Sequence, residues 1–316
     1  MTVLILAGTV ILAVLALGLG MFLFIFFRRR QPDYSQPAVL AASRWADFAA
    51  PIQTGAQFLA DHHPRSVEIE SFDGLTLRGQ LVEHPNPRGV LVLLHGYRSC
   101  PRIDVYASMP RYYQMGFTLL ICDQRAHGAS QGRILTMGIK ERYDAARWAE
   151  FAAATFGRDM PVYLGGISMG ATTVLMAADL PMEANLRGIV ADCGFTSPRA
   201  IIAYLMRRQY HLPPRPLLAL LRLSCRLFGG FDLDASSTVQ ALSHSHVPVL
   251  LFHGADDHFV PKEMSEAAYA AAQGDKTLLE FPGAGHGLSY IVDGQRYLAA
   301  LEDFFARTLP TGRTAP

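Results

Sequence analysis

Ten consecutive residues write out a strand, a sharp turn and a helix. Val162-Tyr163-Leu164-Gly165-Gly166-Ile167-Ser168-Met169-Gly170-Ala171 passes from an apolar strand through Gly-x-Ser-x-Gly, and an Ala/Thr/Leu/Met helix follows at once. Such a reversal needs small residues two positions either side of Ser168, because a Cβ there collides as the chain turns back. It leaves the serine hydroxyl exposed beside the unpaired N–H groups of the new helix. Ser168 is therefore a candidate nucleophile, with a chemically idle glycine-rich turn as the alternative.

The rest of the chain supplies matching elements. Apolar strands are expected near Val67 to Glu70, Leu75 to Glu83, Gly89 to Leu94, Phe117 to Cys122, Pro161 to Gly165, Arg187 to Ala191, Pro248 to Phe252 and Thr277 to Phe281. Helices alternate with the later strands, including Glu141 to Phe156, Pro261 to about Gln273 and one near Gln295 to Thr308. That order calls for a mostly parallel eight-stranded sheet covered by helices on both faces, an α/β fold with an antiparallel start. Residues 66–316 are enough for one large domain with a full core.

A serine nucleophile needs a base and an acid to orient it. After the strand ending at Phe252 comes His253-Gly254-Ala255-Asp256-Asp257-His258-Phe259-Val260-Pro261, and after the strand ending at Phe281 comes Gly283-Ala284-Gly285-His286-Gly287. One helix and one strand separate them, which brings the two loops to the same sheet edge as Ser168.

With these motifs stand Leu94-His95-Gly96-Tyr97-Arg98-Ser99 and Asp123-Gln124-Arg125-Ala126-His127-Gly128-Ala129-Ser130, each after a strand. In order and spacing the chain, over about residues 66–308, resembles the α/β-hydrolase superfamily, and more narrowly its bacterial membrane-anchored serine hydrolases. The resemblance implies a triad of Ser168, Asp257 and His286, the acid lying four residues after His253. Asp256 is the neighbouring rival, and Asp192, ending the strand through Ala191, a weaker one. It also implies an oxyanion hole made by the backbone N–H groups of Met169 and Tyr97. His95 and His253 are expected to brace loops, and Asp123 and Arg125 to tie the loop after their strand.

No His-x-x-x-His on a helix and no Cys-x-x-Cys occurs among eleven histidines and four cysteines, so no metal is implied. No dinucleotide or phosphate-loop fingerprint implies a cofactor, and nothing marks nucleic acid as a partner. Cys100, Cys122, Cys193 and Cys225 are widely spaced, which fits a reducing compartment better than a disulfide framework.

From Thr2 to Phe27 there is no charged residue, and Arg28-Arg29-Arg30 follows. The run exceeds the ~20 residues that cross a bilayer. It lacks the basic start and small-residue cleavage site of a signal peptide. Residues 1–30 are therefore expected to be a retained single-pass anchor, and the flanking arginines to place the catalytic domain on the cytoplasmic side. Residues 31–65 read as a linker, with an amphipathic piece near Ala38 to Phe48 that lies on the membrane or packs on the domain.

About residues 196–234 replace the short helix usual between two strands, and an insertion there sits over the site as a cap. From Thr196 to Gly230 there are six arginines and no acid, while the whole chain carries only +1. Either its leucines pack on the domain while its arginines find carboxylates elsewhere, or it is a lid that meets anionic lipid or admits acyl chains. The leading expectation is an esterase or thioesterase acting on a small ester, lipid or acylated substrate near the membrane. A serine peptidase or amidase and a non-catalytic scaffold are the other two.

Overall fold

The computed structural model describes residues 1–43 and 45–310. Eight strands form one sheet: β1 Arg65–Glu70, β2 Thr76–Val82, β3 Gly89–Leu94, β4 Phe117–Cys122, β5 Pro161–Ile167, β6 Asn185–Asp192, β7 Val249–Gly254 and β8 Lys276–Phe281. Their order is β1-β2-β4-β3-β5-β6-β7-β8. The β1–β2 and β2–β4 pairs are antiparallel and all others parallel, as expected from the sequence. Helices of eight residues or more are α1 Thr2–Phe26, α2 Ala49–Asp61, α3 Glu141–Phe156, α4 Met169–Met176, α5 Pro198–Arg208, α6 Pro214–Ser224, α7 Glu263–Ala271 and α8 Gly294–Thr308.

All six residues of β3 are buried, and their alternation divides the core. Val90, Val92 and Leu94 join Trp148 and Ala149 of α3 and Val174 and Leu175 of α4. Leu91 and Leu93 join Leu59 of α2 and Leu301, Phe304 and Phe305 of α8. A strand wetted on neither face reads as a continuous apolar run, which is why these strands were legible. The parallel strands deliver the loops after β3, β5, β7 and β8 to one edge.

Residues 31–65 do not trail free. Leu40 and Ile52 pack with Ile103, and a Cβ at Gly55 would collide with the backbone of Tyr106. The helix α2 within that segment carries no strong sequence signal of its own, because its contacts are with distant residues.

A third core lies beneath α5 and α6, in the segment expected to form the cap. Ile201, Ile202 and Met206 of α5 and Leu218 and Leu221 of α6 enclose Phe22 and Phe26 of α1, which are 1% and 0% exposed. Gly18 lets α1 and α6 approach, since a Cβ there would meet Leu220 and Ser224. Further along, Phe22 lies 6.2 Å from Phe228 and Phe26 lies 5.2 Å from Phe231. The two segments thus ascend together, and the α5–α6 connection lies toward the N-terminal end of α1. Past the helix, the Arg28 N–H donates to the Arg133 carbonyl at 2.7 Å.

Three cap arginines have partners just beyond the arginine-rich stretch. Arg199 pairs with Asp234, Arg222 with Asp232 at 2.8 Å and Asp234 at 3.0 Å, and Arg226 with Asp232 at 2.5 Å. Among the described residues, Arg207, Arg208 and Arg215 form no ion pair, and all three stand near the α5–α6 connection.

Candidate active site

Ser168 sits between β5 and α4 at φ 56° and ψ −116°, a region that costs a non-glycine residue of order 1–3 kcal/mol. The surroundings enforce it. Its N–H donates to the Asp192 carbonyl at 2.8 Å. A Cβ at Gly166 would strike the backbone of Gly170, and one at Gly170 would strike the Leu94 carbonyl, so both flanking glycines are required by close approach.

The loop after β8 brings His286 to this serine. Its Nε2 lies 2.9 Å from Ser168 Oγ, and its Nδ1 lies 2.6 Å from Asp257 Oδ2. The other carboxylate oxygen of Asp257 accepts the N–H groups of Phe259 and Val260, both at 2.9 Å. Burial works to raise the Asp257 carboxyl, but the His253 ring, 3.4 Å away, and hydrogen bonds from His286 and the backbone outweigh it and hold the group well below the usual carboxylate range. His253 is fully buried and spends its ring on Ser265 Oγ at 2.6 Å and the Val260 carbonyl at 2.9 Å, bracing the acid loop.

The rival acids are engaged elsewhere. Asp256 is exposed, with its N–H on the Ala284 carbonyl. Asp192 is buried, takes the Ser289 hydroxyl at 3.0 Å, and is pushed up to about 6 by burial. Cys193, Asp257 and His286 bring their ligand atoms within 4.8 Å of one another. Burial raises the Cys193 thiol well above its ordinary value, which opposes the thiolate that a metal would require.

The loop after β3 is pinned from several sides. Asp104 accepts the Gly96 N–H at 2.6 Å and the Ser99 hydroxyl at 2.8 Å. His95 Nδ1 donates to the Gly96 carbonyl at 2.9 Å, while its Nε2 accepts the Gln124 N–H at 3.2 Å. His127 repeats the pattern, donating to the Arg125 carbonyl at 2.9 Å and accepting the Arg98 N–H at 3.1 Å. Both rings are thereby fixed as the neutral tautomer protonated on Nδ1. Burial pushes His95 down to about 4 and His127 to about 3. Among the described residues, no protein group accepts from the backbone N–H of Tyr97 or Met169, the two donors expected beside the serine.

Arg125 and Asp123 tie their loop. The Arg125 guanidinium, 1% exposed, meets Asp144 at 2.6 and 2.7 Å and Asp73 at 2.9 and 3.0 Å. Asp123 accepts the Ala129 N–H at 2.8 Å.

Two cavities open at Ser168. One, of about 540 Å³, is bounded by Trp45 and Phe48 of the segment before α2, by Ser99 and Asp104, and by His286 and Tyr290. The other, of about 450 Å³, runs under the cap between α1, α5 and α6. A larger cleft, about 1000 Å³, lies between Arg28, Arg30, Arg78 and Arg133 and does not reach the serine. Sequence reasoning missed Asp104 and His127 as braces and α1 as a cavity wall: the partners of His127 and α1 are distant in sequence, and no pattern marks Asp104 as folding back on Gly96 and Ser99.

Residues 91–300 match the model of the Alpha/beta hydrolase family. The chain belongs to the alpha/beta hydrolase family. The matched window begins in β3 and ends in α8, so it takes in the serine elbow, the acid and histidine loops and the cap. The chain is similar to the uncharacterized protein YqkD of Bacillus subtilis, 26% identical over 236 residues that span 75% of this chain and 77% of that protein. It is also similar to the uncharacterized protein Rv2307c of Mycobacterium tuberculosis, 26% identical over 307 residues that span 96% of each. Among solved structures, a Pyrococcus furiosus esterase superposes with a TM-score of 0.61 at 21% identity, covering 80% of this chain and 94% of that one. At that identity the hydrolase likeness is one of fold.

Proposed function

We propose that this hydrolase cleaves carboxylic esters or thioesters through Ser168, His286 and Asp257 by way of an acyl-enzyme. The observation that carries the reading is His286, whose two ring nitrogens bridge the serine hydroxyl and a buried carboxylate. His286 accepts the Ser168 proton as Oγ attacks the acyl carbon. The ionised Asp257 holds the ring with its proton on Nδ1 and stabilises the imidazolium. The oxyanion is received by the N–H groups of Tyr97 and Met169, donors of a kind worth ~3 to 4 kcal/mol each. His286 then gives its proton to the departing alcohol or thiol. Water, deprotonated by the same ring, releases the acid and restores Ser168.

The second part of the proposal concerns place. Residues 1–30 act as a retained single-pass anchor and the catalytic domain faces the cytoplasm. The helix α1 is, among the described residues, the one long and apolar enough to cross a bilayer, with a mean hydropathy of 2.7 over its best window. Support for retention comes from Phe22 and Phe26, whose loss would uncover the core beneath the cap.

A fluorophosphonate probe tests the chemistry: wild type labels and Ser168→Ala does not. A panel of p-nitrophenyl esters, thioesters and aminoacyl p-nitroanilides is expected to show turnover of the first two groups. Labelling of Ser168→Ala at the wild-type level sinks the nucleophile assignment. An alkaline phosphatase fused after Pro316 is expected to be inactive; an active fusion reverses the topology.

A further inference from the structure

The cavity under the cap joins Ser168 to the helix expected to lie in the membrane. Its walls are Met21 and Ile25 of α1, Ile202 and Leu205 of α5, and Leu217 of α6, and Leu17 stands at its outer end. Apart from Arg98, Gln209 and the hydroxyls of Tyr97, Ser168 and Tyr210, the lining is apolar, so the space between these groups suits a chain of methylenes. The cavity beside Trp45, Ser99 and Asp104 meets it at Ser168, Tyr97 and Phe259, and offers polar groups to the other half of an ester.

The opening lies on the uncharged run of α1. That run is exposed from Thr2 to Leu17 apart from Gly8 and continues without a charged residue to Phe26. Leu17 and Met21 on it line the cavity. The cap lies alongside the same run, because α6 ascends with α1 and the α5–α6 connection points toward the N-terminal end of α1. Tyr210 and Leu212 on that connection are 49% and 45% exposed, and Leu223, Leu227 and Phe228 add to the apolar surface beside α1. Arg207, Arg208 and Arg215, without ion pairs among the described residues, flank the same connection, and their long stems let the guanidinium heads reach back to lipid phosphates.

We propose that the substrate is a long-chain acyl ester of a bilayer lipid, whose acyl chain slides sideways from the membrane between α1 and the cap to reach Ser168. The inference rests on the serine esterase reading and deepens it by naming the substrate class and its route. The bond broken is the acyl ester C–O. Water supplies the OH of the released fatty acid and the proton of the released alcohol.

The test uses the full chain reconstituted in anionic phospholipid vesicles. p-Nitrophenyl butyrate reports chemistry at Ser168, and p-nitrophenyl palmitate and a labelled long-chain phospholipid are supplied either in the enzyme's own bilayer or in separate vesicles. Turnover of the long-chain esters is expected only in the shared bilayer, with kcat/KM rising about threefold to fourfold per methylene until the cavity is full. Leu17→Trp at the outer end and Leu205→Trp on the opposite wall are expected to lower the palmitate-to-butyrate ratio by tenfold or more. Leu12→Trp, at a side chain of α1 that is 69% exposed, leaves that ratio alone. Equal rates from shared and separate vesicles overturn the lateral route. A ratio unmoved in both cavity variants overturns the acyl site, and a soluble S-palmitoyl peptide cleaved in preference to the phospholipid overturns the lipid assignment. In each of these outcomes butyrate turnover keeps the esterase reading standing, whereas a wild type inert toward all esters removes that reading itself.

Discussion

On the sheet side of Ser168, each working atom is held by a named hydrogen bond: Ser168 N–H by Asp192, His286 by Asp257, Asp257 by two backbone N–H groups, Gly96 by Asp104. On the cap side, Leu17, Met21, Ile202 and Leu205 are held by packing alone. A hydrogen-bonded constellation fails when one atom is lost, because the remaining groups lose orientation. A packed wall tolerates exchange of one apolar side chain for another and responds to volume. Lesions on the sheet side should therefore appear in kcat, and lesions on the cap side in substrate preference.

The largest break is expected within the triad. Ser168→Ala should lower kcat by roughly 10⁴ to 10⁶-fold and Asp257→Asn by roughly 10⁴, as such groups act as a unit. Asp256→Asn should remain near wild type, since its carboxylate is exposed and its backbone alone joins the loop. Asp192→Asn should fall between, because it disturbs Ser289 without touching His286. Steady-state kinetics on one soluble ester rank the three carboxylates, and Asp256→Asn ranking lowest would move the acid.

The next lesion separates scaffold from chemistry on the sheet side itself. Arg125→Met leaves Asp144 and Asp73 without the cation that joins α3 to the β1–β2 turn. Breaking one partner out of a buried pair costs about 3–5 kcal/mol. Urea denaturation should show that loss, while labelling per folded molecule by a fluorophosphonate probe stays close to wild type.

The same contrast explains what was legible in the sequence. β3, β4 and β7, buried on both faces, read as apolar runs, while β1 showed through the alternation of Val67 and Ile69 with glutamates; β1 begins at Arg65 and β6 at Asn185, each two residues earlier than expected. The elbow was legible because Gly166 is dictated by a local collision with Gly170, and Gly170, dictated by the Leu94 carbonyl, stands at a fixed distance from it in sequence. His127 was not, since it braces the loop through the backbone of Arg98, distant in sequence, and Asp104 was not, since an acid in a short helix after a loop has no pattern that says it folds back on Gly96 and Ser99. The role of α1 as a wall was hidden for a similar reason. Its uniform apolarity announced lipid, and only the fold shows that Phe22 and Phe26 face the cap. The cap's charge was half legible: six arginines were plain, but Asp232 and Asp234, which neutralise three of them, lie outside the stretch that lacks acids.

Acid should weaken the sheet side first. His95 and His127 are neutral donors and acceptors in the fold, with burial pushing them down to about 4 and about 3, whereas an unfolded histidine titrates near 6.5. Below that value the unfolded chain binds more protons than the native one, so stability is complete above about pH 6.5 and falls as pH drops toward 4 and then 3. For His95 alone the loss across the window is of order 3 kcal/mol. Asp192 and Asp144, both raised to about 6 by burial, contribute with the opposite sign over this range, so the measurement is a difference: between pH 7 and pH 4.5, His127→Gln, whose amide oxygen still accepts the Arg98 N–H, should lose less stability than wild type.

The smallest effect is expected on the cap side, where surface charge meets lipid. Basic side chains near an anionic membrane contribute about 1 kcal/mol each, and salt screens them. With the full chain in vesicles, replacing Arg207, Arg208 and Arg215 by Gln should lower the ratio of long-chain ester turnover in anionic over neutral bilayers several-fold. That ratio should also fall for wild type as ionic strength rises. Arg222→Gln offers the internal comparison: its guanidinium is committed to Asp232 and Asp234, so its loss should leave the lipid ratio unchanged and lower stability slightly. Equal effects from the paired and the unpaired arginines would mean that overall charge, rather than the position of the α5–α6 connection at the membrane, sets the preference.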